Sequence, residues 1–90
     1  MEEFVEFVIR RLVEYPDEMI VTKIESPRKV VFQIQLRQSD IGFVIGKQGH
    51  TIEAIRNLLN AAASRHGQKV VLQILEEKGE VVPTPAPAEA

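Results

Sequence analysis

The sequence contains neither cysteine nor tryptophan. Without cysteine the chain has no disulfide framework and no thiolate metal site, a composition typical of a reducing compartment. No apolar run approaches the roughly 20 residues that a membrane-spanning helix needs. The N-terminus carries acids at Glu2 and Glu3 where a secretion signal would carry bases. These absences, and the length of 90 residues, predict one small cytoplasmic domain.

Motifs of nucleotide and metal chemistry are also missing. A P-loop needs four residues between its glycines and a Ser or Thr after its Lys, but three residues separate Gly42 from Gly46 and glutamine follows Lys47. No G-x-G-x-x-G fingerprint occurs. The histidines, His50 and His66, have no neighbouring acid cluster at metal-ligand spacing. The sequence therefore predicts no enzyme, no metal site and no cofactor.

The formal net charge of −2 is unevenly distributed along the chain. Residues 1–22 carry a net charge of −4 and residues 70–90 one of −3. Residues 23–69 carry eight basic residues against three acids, a net charge of +5. The central excess of positive charge suits a local phosphate site, whereas the acidic ends oppose tight, unspecific binding to nucleic acid. We therefore expect moderate affinity.

Hydrophobic periodicity predicts the order helix, strand, strand, helix, helix, strand. The predicted helices cover residues 2–15, 41–45 and 51–66, and the predicted strands cover residues 19–25, 30–37 and 69–75. Ser39 or Asp40 is predicted to cap the short helix, and Gly67 to end the long one. This pattern indicates an α+β domain over residues 1–79, with helices packed on one face of a three-stranded sheet. The Pro- and Ala-rich residues 80–90 are predicted to be a disordered tail.

The predicted core consists of the apolar residues that recur at helical or strand spacing. They are Phe4, Val5, Val8, Ile9, Leu12 and Val13 in the first helix, Val30, Phe32, Ile34 and Leu36 in the second strand, Ile52, Ile55, Leu58, Leu59, Ala62 and Ala63 in the long helix, and Val70, Leu72 and Ile74 in the last strand. In the first strand, Ile20, Thr22 and Ile24 share one face. Phe7 lies at the edge of its stripe and fits either rim packing or a partner surface.

The short loop Gly46-Lys47-Gln48-Gly49, hereafter the glycine loop, precedes the long helix. Its glycines allow a sharp turn and a close approach of backbone N–H groups to a ligand. These N–H groups occur at a helix N-terminus, where unpaired donors and the helix dipole favour an anion such as phosphate. Lys47 adds a positive charge. The sequence therefore predicts a small clamp for a phosphate backbone.

The stretch Val44-Ile45-Gly46-Lys47-Gln48-Gly49-His50-Thr51-Ile52 resembles the V-I-G-x-x-G-x-x-I signature of KH domains, which grip single-stranded RNA or DNA. The chain up to about Gly79 resembles the small bacterial single-domain KH proteins of the KhpA type. The leading helix favours the type II arrangement, α-β-β-α-α-β. This resemblance implies an RNA chaperone or post-transcriptional regulator, linked to cell-shape and cell-envelope control. It also implies self-association and pairing with a larger KH-containing protein.

The resemblance further implies a groove that holds about four nucleotides between the glycine loop and a sheet edge. It places RNA contacts at Gly42, Phe43, Val44, Ile45, Gly46, Lys47, Gln48, Gly49, His50 and Ile52, with Arg37 and Arg56 as auxiliary contacts. Ile45 and Ile52 also fit core positions. A solvated surface position is the alternative for each arginine.

Phe43 and His50 depart from the family pattern, because many relatives carry basic residues there. The chain thus loses one or two phosphate partners, and His50 would make binding sensitive to pH. An exposed Phe43 fits stacking on a base or a protein interface. The alternative function is a protein-interaction module that keeps the KH fold but binds little RNA. Single-stranded DNA is a third candidate ligand, since it would use the same groove.

Overall fold

The computed structural model describes residues 2–82, which form three helices and three strands in the predicted order. The elements are α1 (Glu2–Leu12), β1 (Ile20–Ser26), β2 (Lys29–Gln35), α2 (Gln38–Ile45), α3 (His50–Ala63) and β3 (Lys69–Leu75). Short 3₁₀ turns cover Pro16–Glu18, Lys47–Gly49 and Ser64–His66. This order confirms the predicted α+β fold class. Among residues 2–82, no helix is long and apolar enough to cross a membrane.

β2 is the central strand of the sheet, between β1 and β3. It pairs antiparallel with β1 across the predicted turn at Pro27-Arg28 and parallel with β3. The register aligns Phe32 with Leu72, so that alternate residues of β2 and β3 form one apolar face. The helices pack on this face. In β1 the face that carries Ile20 and Ile24 is the opposite one, and both side chains are at least half exposed.

Most of the predicted core is buried. The buried apolar residues are Val5, Ile9, Val13, Val30, Phe32, Ile34, Leu36, Val44, Ile52, Ile55, Leu59, Ala63, Val70, Leu72 and Ile74. The prediction is wrong for Phe4, Leu58 and Ala62, which are exposed. The apolar stripes of α1 and α3 are wider than the strips of helix surface that pack against the core. Their outer flanks therefore remain on the surface.

Asp40 is the single buried charged residue among residues 2–82, and it does not cap its own helix. It lies in the first turn of α2, and its carboxylate accepts hydrogen bonds from the backbone N–H groups of Glu14 (3.1 Å) and Tyr15 (3.0 Å). The cap prediction is therefore wrong for both Ser39 and Asp40, because α2 begins at Gln38 with Arg37 at its N-cap position and the partners of Asp40 come from a distant segment. α1 ends at Leu12, three residues before the predicted end, and these two hydrogen bonds are made by residues that follow it.

The chain turns back on itself after β3. The Glu76 N–H donates to the Glu80 carbonyl (2.9 Å), and the Val82 N–H donates to the Ile74 carbonyl (2.7 Å). Val82 also packs against the core. The first three residues of the predicted tail, residues 80–82, thus lie against β3, and the rest of that tail, residues 83–90, falls outside the described residues.

Candidate nucleic-acid interface

Gly46 ends α2 and opens the glycine loop. Its N–H donates to the Gly42 carbonyl at 2.9 Å, and its backbone has φ 76° and ψ 176°, a conformation essentially restricted to glycine. A Cβ atom at Gly46 would lie 2.6 Å from Thr51 Cβ and 3.0 Å from the Thr51 backbone nitrogen. Both the backbone conformation and the lack of space therefore require glycine at this position.

The middle of the glycine loop has two available backbone donors. The N–H groups of Gly46 and Gly49 donate internally, whereas those of Lys47 and Gln48 have no acceptor among residues 2–82. Lys47 is helical, and Gln48 (φ 55°, ψ 23°) is the one non-glycine residue in that range with positive φ. A helical residue followed by a left-handed one forms a concave nest of N–H groups, which binds anions. Of the N–H groups predicted to bind phosphate, the structure thus leaves those of Lys47 and Gln48 available.

The electrostatic setting of the glycine loop favours an anion. The loop leads directly into α3, a helix of 14 residues, so its N–H groups lie at the positive end of the helix dipole. The side chains of Lys47, Gln48 and His50 are exposed around it. Glu53 lies in the first turn of α3 and opposes an incoming phosphate. The moderate affinity predicted from the sequence stays a prediction.

Exposure divides the predicted contact residues into three groups. Gly42, Phe43, Lys47, Gln48 and His50 are exposed, Ile45, Gly46, Arg37 and Arg56 are partly buried, and Gly49, Val44 and Ile52 are buried. Val44 and Ile52 have no accessible surface and belong to the core. Their positions on α2 and α3 turn these side chains towards the sheet, so they pack in the core on either side of the glycine loop in sequence. They therefore present no apolar group to bases.

Arg37 takes part in a small cluster away from the glycine loop. Its Nη1 atom lies 2.9 Å from Glu18 Oε2, and its guanidinium group stacks 4.1 Å from the centre of the Tyr15 ring. The hydrogen bond that Arg37 donates to Glu18 and the charge of that carboxylate raise the pKa of Arg37. Because α2 separates Arg37 from the loop, the two are about 12 Å apart. Arg37 thus interacts with Glu18 and Tyr15 of the protein itself, away from the glycine loop.

Asn60 is a structural residue that the sequence analysis missed. Its side chain accepts from the Val70 N–H (2.8 Å) and donates to the carbonyls of Val70 and Arg56 (both 3.0 Å). It therefore satisfies the backbone N–H and C=O groups of Val70 at the outer edge of β3 and fixes α3 beside that strand. A polar residue next to the apolar stripe of a helix is the visible sequence signal, but it does not reveal the partner.

These features equip the site to hold a phosphate backbone. It combines two available N–H groups, a helix N-terminus and an exposed lysine. Among residues 2–82, no group of three or more His, Cys, Asp or Glu residues is placed to hold a metal ion. The two N–H donors, the helix N-terminus and Lys47 of this site suit an anion.

Comparison with known proteins agrees with this geometry. The family model described as the KhpA/KhpB KH domain matches residues 2–74. The RNA-binding protein KhpA of Chlamydia pneumoniae is 40% identical over 78 residues, which cover 87% of this chain and all of the relative. For Borreliella burgdorferi KhpA the identity is 36% over 74 residues, covering 82% of this chain and 90% of the relative. For Listeria monocytogenes serovar 1/2a KhpA it is 34% over 76 residues, covering 84% and 100%.

No solved structure gave a significant match to this chain. The assignment therefore depends on the family model and on these relatives, which are all named as RNA-binding proteins and not as enzymes. The matched region includes the glycine loop and all six helices and strands except the last residue of β3. With this coverage and this identity, the chain belongs to the KhpA/KhpB family of KH domains.

Proposed function

We propose that this protein binds single-stranded RNA and grips its phosphate backbone with the glycine loop. The observation that carries the proposal is the pair of N–H groups at Lys47 and Gln48, which lack an acceptor among residues 2–82. A phosphate at the N-terminus of α3 supplies that acceptor and neutralises Lys47. The names of the relatives support RNA as the ligand.

Gly42 supports a ligand close to the surface of α2. It lies one helical turn before Gly46 and is exposed, and a Cβ atom at Gly42 would meet no protein atom within 4 Å. Glycine inside a helix costs roughly 0.5–1 kcal/mol relative to alanine. Nothing in the packing of the described residues offsets this cost. A base that lies flat against the bare backbone of α2 accounts for the missing side chain.

The function is tested by binding of labelled RNA pools, four to twelve nucleotides long, at two salt concentrations. We expect affinity to fall as salt rises, because bound phosphates release counterions. Gly42→Ala is expected to raise the free energy of unfolding by about 0.5–1 kcal/mol and to weaken RNA binding by about three- to tenfold (~1 kcal/mol). Thermal melts and the binding assay measure the two effects. Unchanged RNA affinity in Gly42→Ala would place the ligand elsewhere.

A grip on the backbone carries little base specificity. This property suits an RNA chaperone or a post-transcriptional regulator in the cytoplasm, which is the role that we propose. The proposed link to cell-shape and envelope control rests on the resemblance to KhpA-type proteins alone. Single-stranded DNA offers the same phosphates, so a DNA pool belongs in the same assay.

The alternative function is a protein-interaction module, and the exposed ring of Phe43 favours it. Phe43 is 50% exposed beside the glycine loop, where a basic residue would serve RNA better. No salt-sensitive binding of any nucleic-acid pool by the wild-type protein would favour this alternative over RNA binding.

We also propose that the protein self-associates through a shallow cleft between α1 and α3. The cleft has a volume of about 390 Å³ and is lined by Phe4, Leu58, Leu59, Ala62 and His66. Leu58 is 56% exposed and Phe4 is 41% exposed. A four-nucleotide site gains useful affinity when two copies are linked. A larger KH-containing partner would cover the same cleft in a heterodimer.

Leu58→Asp is expected to weaken self-association at least about tenfold, because it places a charge in a desolvated interface. Light scattering after size exclusion, over a range of protein concentrations, measures the mass. Ile24→Asp is the matched control, since Ile24 is 50% exposed on the opposite face of the sheet. Equal effects of the two substitutions, or a wild-type protein that stays monomeric throughout, would contradict the proposed interface.

A further inference from the structure

The outer edge of β3 lies beside α3 and faces the start of that helix. Asn60 bonds to Val70, and the Gln68 N–H donates to the Ala63 carbonyl (3.2 Å), so α3 runs antiparallel to β3. From Asn60 back to Thr51 the helix rises about 13 Å. From Val70 to Ile74 the strand advances about 13 Å as well. Ile74 is therefore level with the start of α3, directly after the glycine loop.

At that level, residues 80–82 occupy the outer edge of β3. The Val82 N–H donates to the Ile74 carbonyl (2.7 Å), Leu75 and Val81 form an antiparallel bridge, and Val82 is half-buried against the core. The turn that leads to this pairing is acidic, since Glu76, Glu77 and Glu80 outweigh Lys78. A phosphate held by the glycine loop would thus have a paired segment level with it along β3. The acidic turn itself lies at the start of α2, where the Gln38 N–H donates to Glu77 Oε1 (3.1 Å).

We propose that residues 80–82 and bound RNA compete for the edge of β3 at Ile74. Residues 80–82 pair with this edge in the free protein, and RNA binding displaces them. An open strand edge presents unpaired N–H and C=O groups, and these can pair with a base whose phosphate lies at the glycine loop. The C-terminal turn therefore lowers the affinity for RNA, because the Val82 N–H occupies the Ile74 carbonyl. This inference rests on the proposed RNA-binding function.

The decisive comparison is between Val82→Pro and Val81→Pro in the full chain. Proline has no N–H, so Val82→Pro removes the hydrogen bond to Ile74 without a change of charge. Leu75 and Val81 form a non-hydrogen-bonded pair, in which the Val81 N–H points away from β3. Val81→Pro is thus matched in residue type and in charge but retains the bond. A chain that ends at Gly79 removes the whole pairing and gives a second measurement.

RNA binding of the four proteins at one salt concentration tests the inference, with thermal melts to confirm folding. We expect Val82→Pro and the shortened chain to bind about three- to tenfold tighter than wild type, and Val81→Pro to bind like wild type. Amide exchange gives an independent readout, because saturating RNA should accelerate exchange of the Val82 N–H in the wild-type protein.

The outcomes separate this inference from the function on which it rests. Wild-type affinity in all variants would overturn the proposed competition for the edge of β3 and would leave the proposed RNA-binding function intact. Weaker binding by Val82→Pro would make Val82 part of the RNA site and would also overturn the inference. Tighter binding by both Val82→Pro and the shortened chain, with wild-type affinity in Val81→Pro, would support the inference. No binding by any of the four proteins would overturn both the inference and the proposed RNA-binding function.

Discussion

RNA binding is expected to fall at least about 100-fold when Lys47 and Gln48 are both replaced by Asp. The double substitution removes one positive charge and places two carboxylates where a phosphate would lie. Each charge contact at about 4 Å is worth roughly 1 kcal/mol in water and more where water is partly excluded, so the summed effect is about 3 kcal/mol. The expected loss follows because about 1.4 kcal/mol corresponds to a tenfold change in affinity.

The domain should stay folded in this double variant. Both side chains are exposed, and Asp adopts the left-handed conformation of Gln48 more readily than most residues do. Circular dichroism and a thermal melt check the fold, and fluorescence anisotropy with labelled RNA measures the affinity.

The matched control replaces Gln68 and Lys69 by Asp, which makes the same chemical changes and the same change in net charge. These residues follow the other end of α3, about 20 Å from the glycine loop. At that distance charge effects are largely screened at 0.15 M salt, so we expect a loss of no more than about threefold. Retained affinity in the Lys47→Asp/Gln48→Asp protein, or equal losses in the two proteins, would exclude the glycine loop as the clamp.

Gly46→Ala is expected to lower the free energy of unfolding by about 2–6 kcal/mol. The glycine-only backbone conformation accounts for roughly 1–3 kcal/mol of this loss. Contact of the new methyl group with Thr51 accounts for about 1–3 kcal/mol more, because the backbone nitrogen of Thr51 cannot move without the start of α3. A domain of this size has a total stability of roughly 5–13 kcal/mol, so the loss is a large share. Urea denaturation measures it through the midpoint.

Gly67→Ala serves as the control for Gly46→Ala. Gly67 also has positive φ (68°), but its ψ of 24° lies in the allowed left-handed region, and a Cβ atom there would meet nothing within 4 Å. The expected loss is about 1 kcal/mol. If the two substitutions lowered the free energy of unfolding equally, the contact with Thr51 would contribute nothing to the stability of the loop.

The elements of this fold could be predicted because their signals are local. The alternation from Val30 to Leu36 in the sequence corresponds to the buried and partly buried alternation of β2. The boundaries predicted for β3 agree with the structure, and Gly67 follows α3 in the left-handed conformation as expected. Each of these signals depends on chain periodicity or on the conformation of a single residue, and both are visible without knowledge of the partners.

The roles of Asp40, Leu58 and Asn60 were not visible in this way. Asp40 bonds to residues 25 and 26 positions away, and Asn60 bonds to a strand edge that exists only in the folded sheet. Leu58 fits a helical apolar stripe as well as its buried neighbour Leu59 does. Periodicity shows which side of a helix is apolar, but the width of the covered strip depends on what packs against it.

The amino-acid sequence by itself determined the six elements, their order and the position of the glycine loop, because helix and strand periodicity and glycine conformation are local properties of the chain. Tertiary structure alone decided which apolar flanks stay exposed and where the Asp40 carboxylate bonds. It also decided that residues 80–82 cover the edge of β3. These features depend on which segments pack against or pair with one another, and such partners are defined only once the sheet and the helices have assembled.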